Sequence, residues 1–388
     1  MFALICFFIF FFLVYLCLCV PNSKDSFLGI IKVFLTNIIE QLYSKLPKSL
    51  QSILYSLYDY IANKPNPIVQ ILYLILVAGI FIFYYKFGIL VFYPNKKVPY
   101  YTIYIIYILV ILSLYSFYLS CKKGPGIINK KNYKILKLKY NIPTLYGEDK
   151  FECKKCGIPK IPRSKHCIIC NLCIEKFDHH CIWVNQCIGA KNYRFFLSFL
   201  FLHFILTTYS SSLGFYLIYN YTIEKKLFKA HFYNPITNEE VNSSLKIIFQ
   251  YLLSNFYAFI ATNIMLIVIS ITLFAFICFH LNLIRLNFTN SERNKQVKTI
   301  RYLNLIKDTL KNISEKKKFK LEIKELSAEE IKKYKRICFC EPEFDLDSLD
   351  ENELNTFYNF TLQSIIIFRK NPYYKGFKNA FKDMIFGI

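Results

Sequence analysis

The sequence alternates between long apolar runs and polar loops. A helix crosses a bilayer with about 20 residues, at about 1.5 Å rise per residue. Five runs reach that length: residues 2–20, 68–93, 100–121, 195–219 and about 256–284. Five such runs favour membrane spans over the alternative, buried core helices of a soluble protein. The pattern therefore predicts an all-α polytopic membrane protein.

The first run is open to two interpretations. It has no basic residue before it, and its first flanking charge is Lys24, which follows the run. This arrangement favours a retained signal anchor with its N-terminus outside over a cleaved signal peptide. Cleavage would leave four spans and would place the basic loops on the other side of the membrane.

Two amphipathic stretches separate the first run from the second. The apolar residues of the earlier stretch share one helical face: Ile31, Phe34, Leu35, Ile38, Ile39, Leu42 and Leu46. Those that follow Pro47 do the same: Leu50, Ile53, Leu54, Leu57 and Ile61. Helices in the cytosolic membrane interface and a soluble helical hairpin are both compatible with this spacing.

Charge is distributed unevenly between the loops. The chain is 54% hydrophobic, yet it carries 49 Lys and Arg against 26 Asp and Glu, a net charge of +23. If all five runs span, 42 of the basic residues lie on one side, in segments 21–67, 122–194 and 285–388. The positive-inside rule makes that side cytosolic. An ordinary soluble domain and a wholly disordered chain are both excluded.

These boundaries predict five regions. Residues 1–67 hold the N-terminal anchor and the amphipathic helices, and residues 68–121 hold the first two core spans. Residues 122–194 form a cytosolic cysteine-rich domain, and residues 195–284 hold the last two core spans. Residues 285–388 form a cytosolic tail that includes a Lys/Glu-rich insert.

The cysteines are concentrated in the cytosolic loop 122–194. Seven of the 14 cysteines and three of the six histidines lie between Cys153 and Cys187. A reducing compartment disfavours a disulfide framework and favours metal binding. Repeated Cys-x2-Cys steps suit tetrahedral zinc, because a tight turn brings two thiolates to one ion.

Two closed zinc sites need eight ligands, whereas the cluster offers ten. A spare Cys and a spare His would supply a nucleophile and its base. Acid, imidazole and thiol are crowded together only at Asp178, His179, His180 and Cys181, which makes Cys181 the candidate nucleophile. Spacing alone leaves an alternative open, in which Cys181 is a ligand and Cys173 or Cys187 is spare.

At these residues the sequence resembles the DHHC protein S-acyltransferases, or palmitoyltransferases. Their pattern is C-x2-C-x9-H-C-x2-C-x2-C-x4-D-H-H-C-x5-C-x4-N-x3-F, and every fixed position is met from Cys153 through Asn192 to Phe196. Outside that core the match is partial. Ile182 and Gln186 replace the family's Pro and Asn, Gly124 replaces the Asp of Asp-Pro-Gly, and Asn290 replaces the second Thr of Thr-Thr-x-Glu. The C-terminal motif is matched by residues 371–376 with Asn379.

The resemblance implies a four-helix membrane core with a zinc domain between its second and third helices, so the first apolar run is an extra helix. It implies two structural zinc ions. One is held by Cys153, Cys156, His166 and Cys173, and the other by Cys167, Cys170, His180 and Cys187. Asp178, His179 and Cys181 are then the catalytic group.

The implied reaction moves a fatty acyl group, such as palmitoyl, from acyl-CoA to cysteine thiols of membrane-associated proteins, through a thioester on Cys181. Two rival functions are a zinc-binding membrane scaffold that has lost catalysis and a membrane-tethered nucleic-acid binder. The intact Asp178, His179 and Cys181 favour the enzyme over both, and no regular stripe of Arg and aromatic residues supports nucleic-acid binding. The organelle membrane is not indicated.

Several single residues outside the cluster also suggest roles. Arg163, Lys165 and Lys191 are candidates for binding the phosphates of CoA or of lipid headgroups. Glu292 is a candidate for engaging the zinc domain. His203 is predicted to be a satisfied histidine within the membrane.

Overall fold

The computed structural model describes residues 27–95, 97–140, 152–233, 240–317, 321–322, 326, 349–369 and 376–386. The apolar run 2–20 and the cysteines at positions 338 and 340 lie outside the described residues. The same holds for most of the C-terminal motif at 371–376.

Ten longer helices, a 3₁₀ turn at Leu227–Lys229 and nine short strands are the regular elements of the described part of the chain. The helices are α1 (Phe27–Ser44), α2 (Lys48–Asn63), α3 (Ile68–Phe92, with a π-helical turn at Tyr85–Ile89), α4 (Tyr101–Lys122), α5 (Tyr133–Lys139), α6 (Tyr193–Glu224), α7 (Leu245–Leu286), α8 (Asn290–Lys316), α9 (Glu351–Arg369) and α10 (Phe377–Phe386). The strands are β1 (Ile127–Ile128), β2 (Glu152–Cys153), β3 (Ile158–Pro159), β4 (Lys165–Cys167), β5 (Leu172–Ile174), β6 (His179–Cys181), β7 (Gln186–Ile188), β8 (His231–Tyr233) and β9 (Glu240–Asn242).

Within the described residues, α3, α4, α6 and α7 are long and apolar enough to cross a membrane. They correspond to four of the five predicted runs, which confirms the predicted fold class. Helix α7 begins at Leu245, 11 residues before the predicted start of the span. The backbone at Phe256 departs from helical values, with φ −128° and ψ 26°. Polar residues before this kink lower the local hydropathy, so the predicted span did not include the first part of the helix.

The described residues divide into two compact units. The first comprises those within Met1–Gly124, His180–Gln186 and Arg194–Cys278, and the second those within Pro125–His179, Cys187–Tyr193 and Phe279–Ile388.

Close packing around small residues holds the helices of the first unit together. Leu217 and Phe259 are fully buried in its main apolar cluster. The ring of Phe259 lies against Gly88, and the side chain of Asn263 lies against Gly214; a Cβ at either glycine would overlap these groups. Small residues at helix contacts are typical of membrane bundles, where van der Waals packing replaces the hydrophobic effect.

The buried histidine of α6 has two polar partners. His203 Nε2 lies 2.5 Å from the hydroxyl of Tyr73, and its Nδ1 lies 2.8 Å from the carbonyl of Phe199. This confirms the prediction that His203 is satisfied within the membrane.

Helices α1 and α2 form where the two amphipathic stretches were predicted. The hydroxyl of Tyr43 donates to the carbonyl of Gln51 at 2.8 Å and joins them. Several apolar residues of both helices are exposed, among them Phe34 at 63% and Ile53 at 63%. Whether these helices lie in the membrane interface stays a prediction.

The second unit contains several short β-strands and a pair of packed helices. Strands β1, β5 and β4 make an antiparallel sheet in that order, and β2 pairs with β3. In the tail, α8 packs on α9 through Leu303, Leu310, Leu354 and Phe357, all buried. The sequence suggested only a charged insert here, because abundant Lys and Glu masked the helical spacing of these leucines.

A glycine exchange tests the close approach of α6 and α7. We expect Gly214→Ala to destabilise the bundle by about 1–3 kcal/mol, because the added Cβ would overlap Asn263 Oδ1. Gly79→Ala is the control, since a Cβ there has nothing within 4 Å. Thermal unfolding of the full chain in detergent should show a lower midpoint for Gly214→Ala and an unchanged or higher midpoint for Gly79→Ala. Equal midpoints would contradict this packing.

Candidate functional site

A strand pair and a tight turn build the first Cys/His group. The register of β4 and β5 places His166 opposite Cys173. After β2, the backbone N–H groups of Cys156 and Gly157 both donate to the carbonyl of Cys153, at 3.1 and 2.8 Å. Gly157 supplies the left-handed conformation that this turn needs, with φ 59°. As a result, the donor atoms of Cys153, Cys156, His166 and Cys173 all lie within 4.8 Å of one another.

A second group has the same composition. The donor atoms of Cys167, Cys170, His180 and Cys187 also lie within 4.8 Å of one another. The backbone N–H of Cys170 donates to the sulfur of Cys167 at 3.4 Å, which closes a tight turn. Neither group, as the described residues form them, includes Cys181.

Both groups fit a zinc ion by donor type and spacing. Each offers three sulfurs and one nitrogen, a set that zinc binds tetrahedrally. Tetrahedral Zn–S bonds of about 2.3 Å separate two sulfurs by about 3.8 Å. The sulfurs of Cys173 and Cys156 are 3.7 Å apart, and those of Cys187 and Cys170 are 3.5 Å apart. Burial and the neighbouring thiols raise the pKa of Cys173, and a divalent cation would relieve this crowding.

A buried carboxylate orients the imidazole next to the second group. His179 Nδ1 lies 2.8 Å from Asp178 Oδ2, and Asp178 is 2% exposed. Burial alone would raise the pKa of Asp178, but the hydrogen bond from His179 and nearby positive charge hold it below its ordinary value. Since an ionised carboxylate only accepts hydrogen bonds, Nδ1 carries the proton and Nε2 is the basic atom of the ring.

The start of α8 supplies the second partner of this carboxylate. The backbone N–H of Asn290 donates to Asp178 Oδ1 at 2.7 Å. Thr289 caps the helix in a capping box with Glu292, which fixes the direction of the first N–H groups. Sequence reasoning marked Asn290 as a departure from the family pattern and missed this contact, because a backbone donor leaves no trace in residue type.

A second histidine ring lies near His179 in the second unit. The ring of His280 is 6.5 Å from that of His179, and its Nδ1 lies 2.9 Å from the hydroxyl of Tyr193. Both Tyr193 and His280 are buried. Sequence reasoning missed the pair, because the two residues are 87 positions apart.

Arg163 is a structural cation and not a phosphate ligand. Its side chain is 2% exposed, and it donates to both oxygens of Glu292 at 2.8 and 2.9 Å. It also donates to Asp383 at 2.9 Å and to Asn287. Because internal acceptors occupy the guanidinium, the suggested role in binding CoA or headgroup phosphate is wrong for Arg163. The predicted engagement of Glu292 with the zinc domain is confirmed.

Asp383 connects the C-terminal helix α10 to Arg163 and Lys176. Besides Arg163, it accepts from Lys176, whose ammonium also donates to the backbone carbonyl of Asp383 at 2.7 Å. Burial and the charge of Arg163 lower the pKa of Lys176 to about 8. Asp383 was missed in the sequence, although it is the only acidic residue after Glu353 in a basic tail. Asn379, which the resemblance includes in the C-terminal motif, is an exposed residue of α10.

The strip His180–Gln186 belongs to the first unit. Cys181 is 5% exposed, and Trp183 is half-buried. Asn185 accepts from the backbone N–H of Asn66 at 3.1 Å. Gln186 donates to the carbonyl of Lys123 at 3.1 Å and also to that of Ser120. Side chains of the strip thus bind the loop before α3 and the end of α4.

Removing one carboxylate tests the buried ion cluster. We expect Asp383→Asn to lower the free energy of unfolding by about 3 kcal/mol, because it leaves buried cations without a full set of partners. Asp308→Asn is the matched control, since Asp308 is 65% exposed in its pair with Lys307; its effect should stay below about 1 kcal/mol. Denaturant unfolding of the full chain measures both. Indistinguishable effects would contradict a stabilising role for Asp383.

Comparison with known proteins identifies the domain. Residues 147–297 match the family model described as DHHC palmitoyltransferase. The palmitoyltransferase ZDHHC4 of Bos taurus is 29% identical over 64% of this chain and 71% of its own length. The palmitoyltransferase swf1 of Schizosaccharomyces pombe is 34% identical over 37% of this chain and 40% of its own. A probable protein S-acyltransferase 13 of Arabidopsis thaliana is 57% identical over 14% of this chain and 18% of its own. Residues 147–297 therefore form a DHHC palmitoyltransferase domain, and the chain is similar to proteins named palmitoyltransferase and protein S-acyltransferase.

Proposed function

We propose that this protein moves a fatty acyl group from acyl-CoA to cysteine thiols of membrane-associated proteins, through an acyl-enzyme on Cys181. One observation carries the proposal: Asp178 holds His179 by its Nδ1, and the strand that begins at His179 ends at a cysteine outside both metal groups. Side chains two residues apart in a strand point to the same face. His179 and Cys181 are therefore a base and a nucleophile on one face of β6.

Each residue of the catalytic group has a distinct role. His179 Nε2 takes the proton from the thiol of Cys181, because the thiolate and not the thiol is the nucleophile. Asp178 keeps the proton on Nδ1 and stabilises the imidazolium that forms. The N–H of Asn290 holds the other oxygen of that carboxylate, so Asp178 stays in place.

Two thioester exchanges then complete the reaction. The thiolate of Cys181 attacks the acyl-CoA carbonyl, a new C–S bond forms, and CoA leaves as a thiolate that takes the proton from His179. The thiol of a protein substrate next attacks the acyl-enzyme and releases Cys181. Both steps exchange one thioester for another, so no energy source beyond acyl-CoA is needed.

Zinc has a structural role in this proposal. Cys153, Cys156, His166 and Cys173 would hold one ion, and Cys167, Cys170, His180 and Cys187 the other. Four protein donors complete a tetrahedral site and leave no position for substrate or water. The bound ions would fix short strands and turns that have little apolar core of their own.

The membrane sets where the acyl group is bound. The protein is an integral membrane protein with four apolar helices among its described residues. The fatty chain would run among these helices, with its thioester at the membrane surface. The 16 basic residues of segment 122–194 support a cytosolic position for the domain, by the positive-inside rule. The exposed Lys165 and Lys191 remain candidates for the phosphates of CoA or of lipid headgroups.

Labelling with acyl-CoA tests the chemistry and the residue together. Purified protein incubated with an alkyne-bearing fatty acyl-CoA should acquire a label that hydroxylamine removes, and peptide mapping should place it on Cys181. Cys181→Ala should abolish the label, and His179→Ala should slow labelling about 10²–10⁴-fold. Cys278→Ala, which removes an exposed thiol of α7, should label normally. A folded wild-type protein that takes up no label would favour the scaffold without catalysis.

Metal analysis tests the ligand assignment separately. The purified protein should contain about two zinc ions per chain, and Cys181→Ser should keep both. Cys187→Ser should lose zinc, since it removes one of four donors from a closed site. Loss of zinc from Cys181→Ser, or retention by Cys187→Ser, would show that the spare thiol has been assigned wrongly.

A further inference from the structure

Helix α2 has two chemically different sides. The polar residues recur every three or four positions and form one stripe, which comprises Ser49, Ser52, Ser56, Asp59 and Asn63. The apolar and aromatic residues occupy the opposite side: Leu50, Ile53, Leu54, Leu57, Tyr58 and Ile61. Leu57, at the centre of the apolar side, is 51% exposed, and Ile75 on the span α3 is 61% exposed. Helix α2 thus exposes its apolar side chains about as fully as a helix that crosses the membrane.

The connection to α3 places the end of α2 near the membrane surface. Helix α3 has 25 residues and is therefore only slightly longer than the bilayer core, so its first residue, Ile68, lies close to one surface. Residues 64–67 join the end of α2 at Asn63 to Ile68. Four residues of extended chain span at most about 14 Å. Helix α2 therefore begins its course no farther than that from the point where α3 enters the membrane.

Asn66, which is buried, fixes this connection and links it to the strip His180–Gln186. Its Nδ2 donates to the carbonyls of Tyr60 and Lys64, at 2.7 and 2.8 Å. Its Oδ1 accepts from the backbone N–H of Ile68 at 3.1 Å. Its own backbone N–H donates to Asn185 Oδ1, also at 3.1 Å. One residue therefore joins the end of α2, the start of α3 and the strip, all of which belong to the first unit.

We propose that α2 lies in the membrane interface and, through Asn66, holds the strip His180–Gln186 at the membrane surface. The partner of its apolar side is the lipid bilayer, which α3 enters four residues after α2 ends. Tyr58 belongs to that side, and tyrosine is enriched where a membrane meets water. Asp59 belongs to the polar stripe and pairs with Lys64 at 3.5 Å, so these charges stay on the water side. Interfacial helices with such a division bury their apolar side about 5–10 Å into the headgroup and acyl boundary.

Photo-crosslinking in a bilayer tests where the apolar side lies. A benzophenone amino acid replaces Leu57, or Ser56 as the matched control, in the full chain reconstituted in nanodiscs of phosphatidylcholine and phosphatidylserine. Both positions are exposed, so the internal packing is kept. We expect several-fold more lipid adducts from position 57 than from position 56. Equal yields at the two positions would overturn the proposal, and so would crosslinks from position 57 to a second copy of the chain.

The fluorescence of Trp183 tests the link to the strip. Trp183 is the only Trp in the chain and lies within the strip, so its quenching by brominated lipids reports how near the strip is to the membrane. We expect quenching in wild type, less quenching in Leu57→Asp, whose charge draws α2 out of the interface, and wild-type quenching in Ser56→Asp. Asn185→Gly removes the acceptor of Asn66, and Gly tolerates the left-handed backbone at this position, with φ 52°. In that background, Leu57→Asp should no longer change the quenching.

Each outcome bears on this proposal alone. Absence of quenching in wild type would overturn it, as would equal losses in Leu57→Asp and Ser56→Asp. A loss in Leu57→Asp that persists in the Asn185→Gly background would overturn the link through Asn66. Zinc content at the wild-type level identifies folded variants. The crosslinking experiment introduces no charge, so it decides where α2 lies even if Leu57→Asp fails to fold. Neither readout requires acyl transfer, so failure here leaves the proposed function untouched.

Discussion

The second unit depends on the buried guanidinium of Arg163. The guanidinium donates hydrogen bonds to the carboxylate of Glu292 at the start of α8 and to that of Asp383 in α10. Its own backbone is in the left-handed region, with φ 65°, which is unfavourable for a residue with a side chain. Five donors in a planar fork suit several acceptors at once, so Lys could not replace Arg here. The contacts join segments that are more than 120 residues apart in sequence.

The start of α8 connects this cluster to the proposed catalytic group. Glu292 binds Arg163 and also closes the capping box with Thr289. The capping box directs the N–H of Asn290 at Asp178, which in turn holds His179. The ion pair between Arg163 and Glu292 therefore helps to position His179, the proposed base, through the N-terminus of α8. The strands next to Arg163 and Asp178 are only three residues long, too short to be stable without such contacts.

The sequence predicted the spans and the ligand groups better than it predicted the polar contacts. Apolar runs have a physical length requirement, so α3, α4 and α6 begin and end within a few residues of the predicted limits. The Cys/His spacing reflects turns that are local in sequence. The partners of Arg163 are not local, and Asn290 acts through its backbone. Neither kind of contact is encoded by residue type or periodicity. Gly88 and Gly214 were likewise not singled out, because their role depends on the residue that faces each of them.

Two departures from the family pattern, at positions 186 and 290, do not support an inactive scaffold. At position 290, the contact with Asp178 comes from the backbone N–H, so Asn provides it regardless of its side chain. At position 186, the longer Gln reaches the carbonyls at the end of α4. Nothing in the structure explains Ile182. A scaffold that had lost catalysis would have no need to keep Asp178 charged and buried, because an unpaired buried carboxylate is destabilising. Here the hydrogen bonds from His179 and from the N-terminus of α8 offset that cost, which favours a role for His179 as a base.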